Sequence, residues 1–132
     1  MAKIIHSMIR VFKPDVSIEF YNKAFNLQIA ERCDFEGFSL IYLGNSENDL
    51  ELELTYNHDQ KEPYTHGSGY GHLAFVVDDI EGEHKRLNYL GFNPEKLVSF
   101  NQNGNLFAKF FFIKDPDGYE IEVLQKYGRF GE

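Results

Sequence analysis

The sequence is poor in cysteine, in positive charge and in long apolar runs, and each shortage excludes a class of protein. Cys33 is the one cysteine, so no intrachain disulfide forms and no thiolate zinc site can be assembled. A reducing compartment follows by default, and a cytoplasmic location is expected. No catalytic motif surrounds Cys33, which is read as a buried or bystander thiol. Lys and Arg total 13 against 21 Asp and Glu, a net charge of -8 with His neutral. No basic run is present, so nucleic acid is excluded as a partner: phosphate binding draws on clustered Lys and Arg. No apolar stretch approaches the ~20 residues needed to span a bilayer, so no membrane partner is expected. The N-terminal MAKIIHSMIRV lacks a long apolar core and a small-residue cleavage site, and is not read as a signal peptide.

Apolar residues are plentiful. They make up 42% of 132 residues, with 13 Phe, enough to build a core in a single domain, 1–132. A chain this short buries a modest fraction of its surface, so pairing with a second copy would help it.

The domain reads as one unit written twice. A module at about 4–57 is followed by a polar, turn-rich linker, 58–70, and a second module at about 71–125. Each opens with an apolar strand, Ile4 to Val11 in the first and His72 to Val77 in the second. A helix follows each. Pro14-Asp15 signals the first, and Val16, Phe20, Ala24 and Leu27 recur near helical spacing. Asp78-Asp79 precedes the second, with Ile80, Leu87 and Leu90, and Gly91 is a natural stop. Two strong strands close each module: Phe38 to Leu43 with Leu50 to Tyr56, and Leu106 to Ile113 with Tyr119 to Gln125. A weaker strand precedes them, near Ala30 to Asp34 and near Lys96 to Phe100. Asp115-Pro116-Asp117-Gly118 is a turn by residue chemistry, since Pro fixes φ and Gly supplies positive φ. The expected class is α+β, with paired βαβββ modules forming a curved, half-open barrel of mixed sheet.

Strand alternation places Ile4, His6, Met8 and Arg10 on one face, and Glu51, Glu53 and Thr55 opposite Leu50, Leu52 and Leu54. His6 and His72 each fall in the first strand of a module, Glu53 and Glu122 each in the last. A lone His on a strand is most often a hydrogen-bonded side chain. A Glu between apolar neighbours is most often solvent-facing, as Glu51 and Glu120 are read. Recurrence at matching places sets His6, Glu53, His72 and Glu122 apart as candidate ligands of one metal. Two imidazoles and two carboxylates suit Ni, Co, Zn or Fe, with two water positions open for Lewis-acid chemistry. His58, His66 and His84 have no such symmetry and are read as surface residues.

The segments IHSMIRV, ELTYN, GYGHLAF and DPDGYEIEVLQ resemble, in order and over nearly the whole chain, those of the glyoxalase I (lactoylglutathione lyase) family of the vicinal oxygen chelate superfamily. The resemblance implies His6, Glu53, His72 and Glu122 as ligands of one divalent metal, with Ni or Co favoured and Zn possible. It implies Arg10 and Asn57 as glutathione contacts, with His72 also on the substrate side, and Glu122 as the catalytic base. The implied reaction isomerises the methylglyoxal–glutathione hemithioacetal to S-D-lactoylglutathione, in a homodimer with shared active sites. Family members often carry basic residues before DPDGY that hold a substrate carboxylate; in SFNQNGNLFAKFF, Lys109 is the one basic residue. Two alternatives belong to neighbouring classes. Another metalloenzyme of the superfamily, an epimerase or a thiol transferase, would carry Gln in place of Glu53 or use three protein ligands. A metal-free binding or resistance protein would lack the His and Glu set.

Overall fold

The structure, a computed structural model, describes residues 1–131. Two compact units divide the chain, Met1–His66 and the residues from Gly67 onward. The first runs β1 (His6–Arg10), α1 (Pro14–Phe25), β2 (Gln28–Asp34), β3 (Phe38–Gly44) and β4 (Glu51–Asn57). The second repeats the plan with β5 (Leu73–Val77), α2 (Ile80–Tyr89), β6 (Val98–Gln102), β7 (Asn105–Lys114) and β8 (Glu120–Gln125). The βαβββ order read from the sequence is thus present in both units.

Each unit holds one mixed four-stranded sheet, ordered β1-β4-β3-β2 and β5-β8-β7-β6. β1 runs parallel to β4 and β5 parallel to β8, while the other neighbours are antiparallel. A parallel pair needs a long crossover, and each unit provides it by passing through a helix and two strands before returning. The last strand of each unit therefore lies inside its sheet, between the first strand and the third.

Alternation assigns the two faces. In the first unit Ile9, Ile41, Leu43, Leu52 and Leu54 are buried on one face. The buried side of α1 is Ser17, Phe20, Tyr21 and Ala24, an i, i+3, i+4, i+7 series. Val16, expected on that side, is exposed because it lies off the series that Ser17 begins. In the second unit Phe111, Ile113, Ile121 and Val123 are buried with Ile80 and Leu87 of α2. Gln125 ties strand to helix there: its amide oxygen accepts from the Ile80 N–H (3.1 Å) and its Nε2 donates to the Asp78 carbonyl (2.7 Å). α2 ends as expected near Gly91, at φ +84°.

Most strands start within one or two residues of expectation, and two of the shifts bear on the histidines. β1 opens at His6, leaving Ile4 exposed outside it, and β5 opens at Leu73, so His72 stands one residue before its strand. The glycine-rich GSGYG run before His72 has the backbone freedom that delays entry into a ladder.

The Asp115–Gly118 turn before β8 is closed by its own chemistry. The Asp115 N–H donates to the Tyr119 carbonyl, and Gly118, at φ +85°, donates its N–H back to the Asp115 carbonyl. The buried Asp115 carboxylate accepts from the Asp117 N–H (2.8 Å) and the Tyr119 N–H (2.9 Å). Replacing Asp115 with Ala strands both donors and is expected to destabilise the protein by about 2 kcal/mol. Urea unfolding measures this as a lower midpoint at constant slope; an unchanged midpoint would remove the carboxylate from the energetics of the turn.

Candidate metal centre

In the first unit His6 stands at the start of the outer strand β1, and Glu53 sits in the middle of the interior strand β4. The parallel register pairs Met8 with Glu53 and His6 with Glu51, so both side chains project from the face opposite the core. His6 Nε2 lies 2.9 Å from Glu53 Oε1. Glu53 is 7% exposed, a position that a carboxylate occupies only when its charge has partners. On β3, Tyr42 is opposite Glu53 in register, and its ring meets His6 edge-on at 5.9 Å. Partial burial first, then the neighbouring Glu53 carboxylate, push the phenol up from its ordinary value.

The second unit repeats this arrangement. His72, just ahead of β5, lies with Nε2 3.2 Å from Oε1 of Glu122 on the interior strand β8. Phe112 of β7 is opposite Glu122 in register and meets the His72 ring edge-on at 5.3 Å. His, Glu and an aromatic edge thus recur at equivalent places. The difference is one oxygen atom: Tyr42 has a hydroxyl and Phe112 does not.

Of the four ligands expected from the sequence, His6 is brought to Glu53 and His72 to Glu122. Among the described residues no group of three or more His, Cys, Asp or Glu side chains is placed to hold one ion; each unit supplies one imidazole and one carboxylate. Arg10 lies on the His6 face of β1, opposite Thr55 in register. Asn57 ends β4 on the Glu53 face, and its Nδ2 donates to the Tyr64 hydroxyl at 2.8 Å. Tyr42 and Tyr64 were not singled out from the sequence. The available signal for Tyr42 was an aromatic in the third strand of each module, next to each Glu-bearing strand.

Other side chains are engaged elsewhere. Lys109 of β7 alternates onto the helix side and forms an ion pair with Glu81 of α2, away from the Glu122 face. Cys33 is half-buried, and partial desolvation followed by the neighbouring Glu31 raises its thiol above the ordinary value, which disfavours the nucleophilic thiolate. His58 is exposed, as expected, and its Nε2 lies 2.8 Å from the Ser39 hydroxyl. His66 and His84 are half-buried rather than surface residues. The His84 ring stands edge-on to Phe111 at 5.0 Å, and its Nε2 lies 2.9 Å from the Glu95 carbonyl.

Comparison with known proteins agrees with this duplicated plan. Residues 3–123 match the family model of the Glyoxalase/Bleomycin resistance protein/Dioxygenase superfamily. The chain belongs to this glyoxalase superfamily. It is 34% identical over 128 residues to the lactoylglutathione lyase of Neisseria meningitidis serogroup A, covering 94% of this chain and 91% of that one. The identity is also 34% to the lactoylglutathione lyase of Haemophilus influenzae, covering 93% and 92%. Among solved structures, the trypanothione-dependent glyoxalase I of Leishmania major superposes with a TM-score of 0.77 at 29% identity, covering 96% of this chain and 88% of that one. Glyoxalase I of Zea mays superposes with a TM-score of 0.82 at 26% identity, and the match spans 96% of this chain but 45% of the maize chain.

These glyoxalase relatives imply a divalent metal, and the donor set accommodates one. Each unit brings one imidazole nitrogen and one carboxylate oxygen together, at 2.9 and 3.2 Å. Borderline imidazole nitrogen with carboxylate oxygen suits a first-row divalent ion. Nickel titration by calorimetry is expected to give about one ion per chain, with His6→Ala and His72→Ala each losing tight binding. If either variant bound nickel as tightly as the parent, that histidine would not be a ligand.

Proposed function

We propose that this glyoxalase-superfamily chain is a lactoylglutathione lyase of the cytoplasm. It isomerises the methylglyoxal–glutathione hemithioacetal to S-D-lactoylglutathione with one divalent metal, nickel or cobalt in preference to zinc. The observation that carries this reading is the His–Glu pair found once in each unit. His6 and Glu53 with His72 and Glu122 form the ligand set. The two modules act as one domain, 1–132, in a homodimer where the first module of one protomer shares an active site with the second module of its partner. Each unit presents half of a ligand set, which is the support for that arrangement.

The reaction moves one proton between carbons and one between oxygens. Glu122 accepts the first at a carboxylate oxygen from the carbon bearing sulfur and hydroxyl, leaving an enediolate, and returns it to the neighbouring carbon, while the hydroxyl proton passes to the neighbouring oxygen, so the substrate is rearranged with no net oxidation. A divalent ion, when bound, supplies Lewis-acid stabilisation of the negative charge on the vicinal oxygens. Arg10 holds a glutathione carboxylate through charge-assisted hydrogen bonds, and Asn57, steadied by Tyr64, adds a polar contact. Arg10 matters more because a net charge of -8 repels an anionic substrate. His72 lines the substrate side as well as binding metal.

Two variants test the assignment. Glu122→Gln, with metal content confirmed, is expected to lower kcat by ~10²–10⁴-fold, the range for loss of a general base. Turnover close to that of the parent would move the base to Glu53 or to water. Arg10→Ala is expected to raise KM about tenfold with kcat little changed, because a charged hydrogen bond contributes ~1.5–3 kcal/mol. An unchanged KM would remove Arg10 from the site.

A further inference from the structure

The end of β4 is held from both faces of the sheet. Asn57, the last residue of the strand, points to the Glu53 side, where its Nδ2 donates to the Tyr64 hydroxyl at 2.8 Å. His58, one residue on, lies on the side that carries Leu54 and Tyr56, and its ring stands 5.0 Å from that of Tyr56. There its Nε2 is 2.8 Å from the Ser39 hydroxyl of β3. Ser39 is 1% exposed, so its oxygen and its proton both need partners. The proton goes to Asp34 Oδ1 of β2 at 2.5 Å, the short distance of a charge-assisted bond. Arg32 Nε donates to the same carboxylate oxygen at 3.1 Å. The Ser39 oxygen is therefore an acceptor toward His58, and the imidazole proton sits on Nε2. The Ser39 hydroxyl first, then Arg32, hold the Asp34 carboxyl below its ordinary value. Strand register lines these groups up across the sheet: Asp34 is opposite Ser39, and Ser39 is opposite Tyr56.

We propose that His58 is a positioning residue for thiol recognition: through Ser39 and Asp34 it pins the end of β4 from the side opposite the site, and so holds Asn57 in place. This rests on the reading of Asn57 as a glutathione contact. The ends of elements open more easily than their centres. The chain turns away directly after Asn57, with the Gln60 N–H donating to the Asn57 carbonyl at 3.2 Å. Beyond the Phe38–Asn57 pair, the His58 N–H donates to the Gly37 carbonyl at 2.9 Å. The His58 side chain secures this last rung, because it ties β4 to β3 and, through the buried Ser39 hydroxyl, to β2. Tyr64 holds the Asn57 amide, while His58 holds the backbone that carries it.

The test uses His58→Phe, which keeps a ring beside Tyr56 and removes the donor, and His58→Gln, which removes the ring and restores an N–H at similar reach. Each is made in the full chain, in the parent and in Asn57→Ala. His58→Phe is expected to raise KM for the hemithioacetal, and Kd for S-methylglutathione as an unreactive probe, about fivefold with kcat unchanged, the size of one lost hydrogen bond. His58→Gln is expected to stay near the parent. In Asn57→Ala, His58→Phe is expected to change neither value further. A histidine that only supported the fold would lower Tm and leave KM and Kd unmoved, or change them equally with and without Asn57; either result would overturn the proposal. Hydrogen exchange at the amides of residues 58 and 60 reads the strand end independently of activity. It is expected to be about fivefold faster in His58→Phe and parental in His58→Gln, and unchanged exchange in His58→Phe would also overturn the proposal. If the parent itself fails to bind S-methylglutathione, the glutathione reading is what fails, and the exchange rates alone decide whether His58 holds the end of β4.

Discussion

A carboxylate placed on the interior strand of a sheet, pointing away from the core, has to be given a partner from the strand beside it. Glu53 is 7% exposed, and an unpaired charge there would cost several kcal/mol. The outer strand β1 answers with His6, whose imidazole comes to 2.9 Å. The same requirement on β8 is met by His72 at 3.2 Å. The return of the last strand into the interior of the sheet, next to the first, makes both pairings possible. Leu52, Leu54, Ile121 and Val123 on the opposite faces of these strands are buried, so a one-residue slip would exchange core for site. Register, burial and ligand placement are therefore one constraint.

Much of this was legible before any coordinates. Period-two alternation in ELELTYN and YEIEVLQ separates the leucine, isoleucine and valine face from the glutamate face, and Leu52, Leu54, Ile121 and Val123 are buried accordingly, while Glu53 and Leu124 are buried on the glutamate side. The DPDG turn carries its geometry in its residue types. Less legible were features set by tertiary contact. Val16 looks like a core residue by hydrophobicity, but Ser17 begins the buried helical series. His84 looks like a surface residue by composition, yet its ring rests on Phe111. Lys109 has the charge to meet a substrate carboxylate, but alternation along β7 turns it toward Glu81 of α2. Tyr42 was hidden because its place opposite Glu53 is set by strand register, which no local pattern states.

Duplication explains both the economy of the site and its asymmetry. One βαβββ plan used twice yields two equivalent nitrogen–oxygen pairs, a natural origin for a ligand set with twofold character. The surroundings then diverge. The first unit carries Arg10, Asn57 and Tyr64, the polar groups suited to a charged thiol. In the second, Val76 on β5 and Leu124 on β8 occupy the places matching Arg10 and Thr55 by register. In the proposed reaction, polar recognition thus belongs to one module and proton transfer to the other.

In the proposed homodimer, one functional site draws its two His–Glu pairs from different protomers. Mixing His6→Ala protein with His72→Ala protein under conditions that allow subunit exchange tests it directly. In a mixed dimer one site has both histidines intact and the other has neither. Full exchange is expected to restore about a quarter of parental turnover, since roughly half of the dimers are mixed and each contributes one of two sites. Turnover that stays at the level of the separate variants, with exchange confirmed by mass, would contradict the claim.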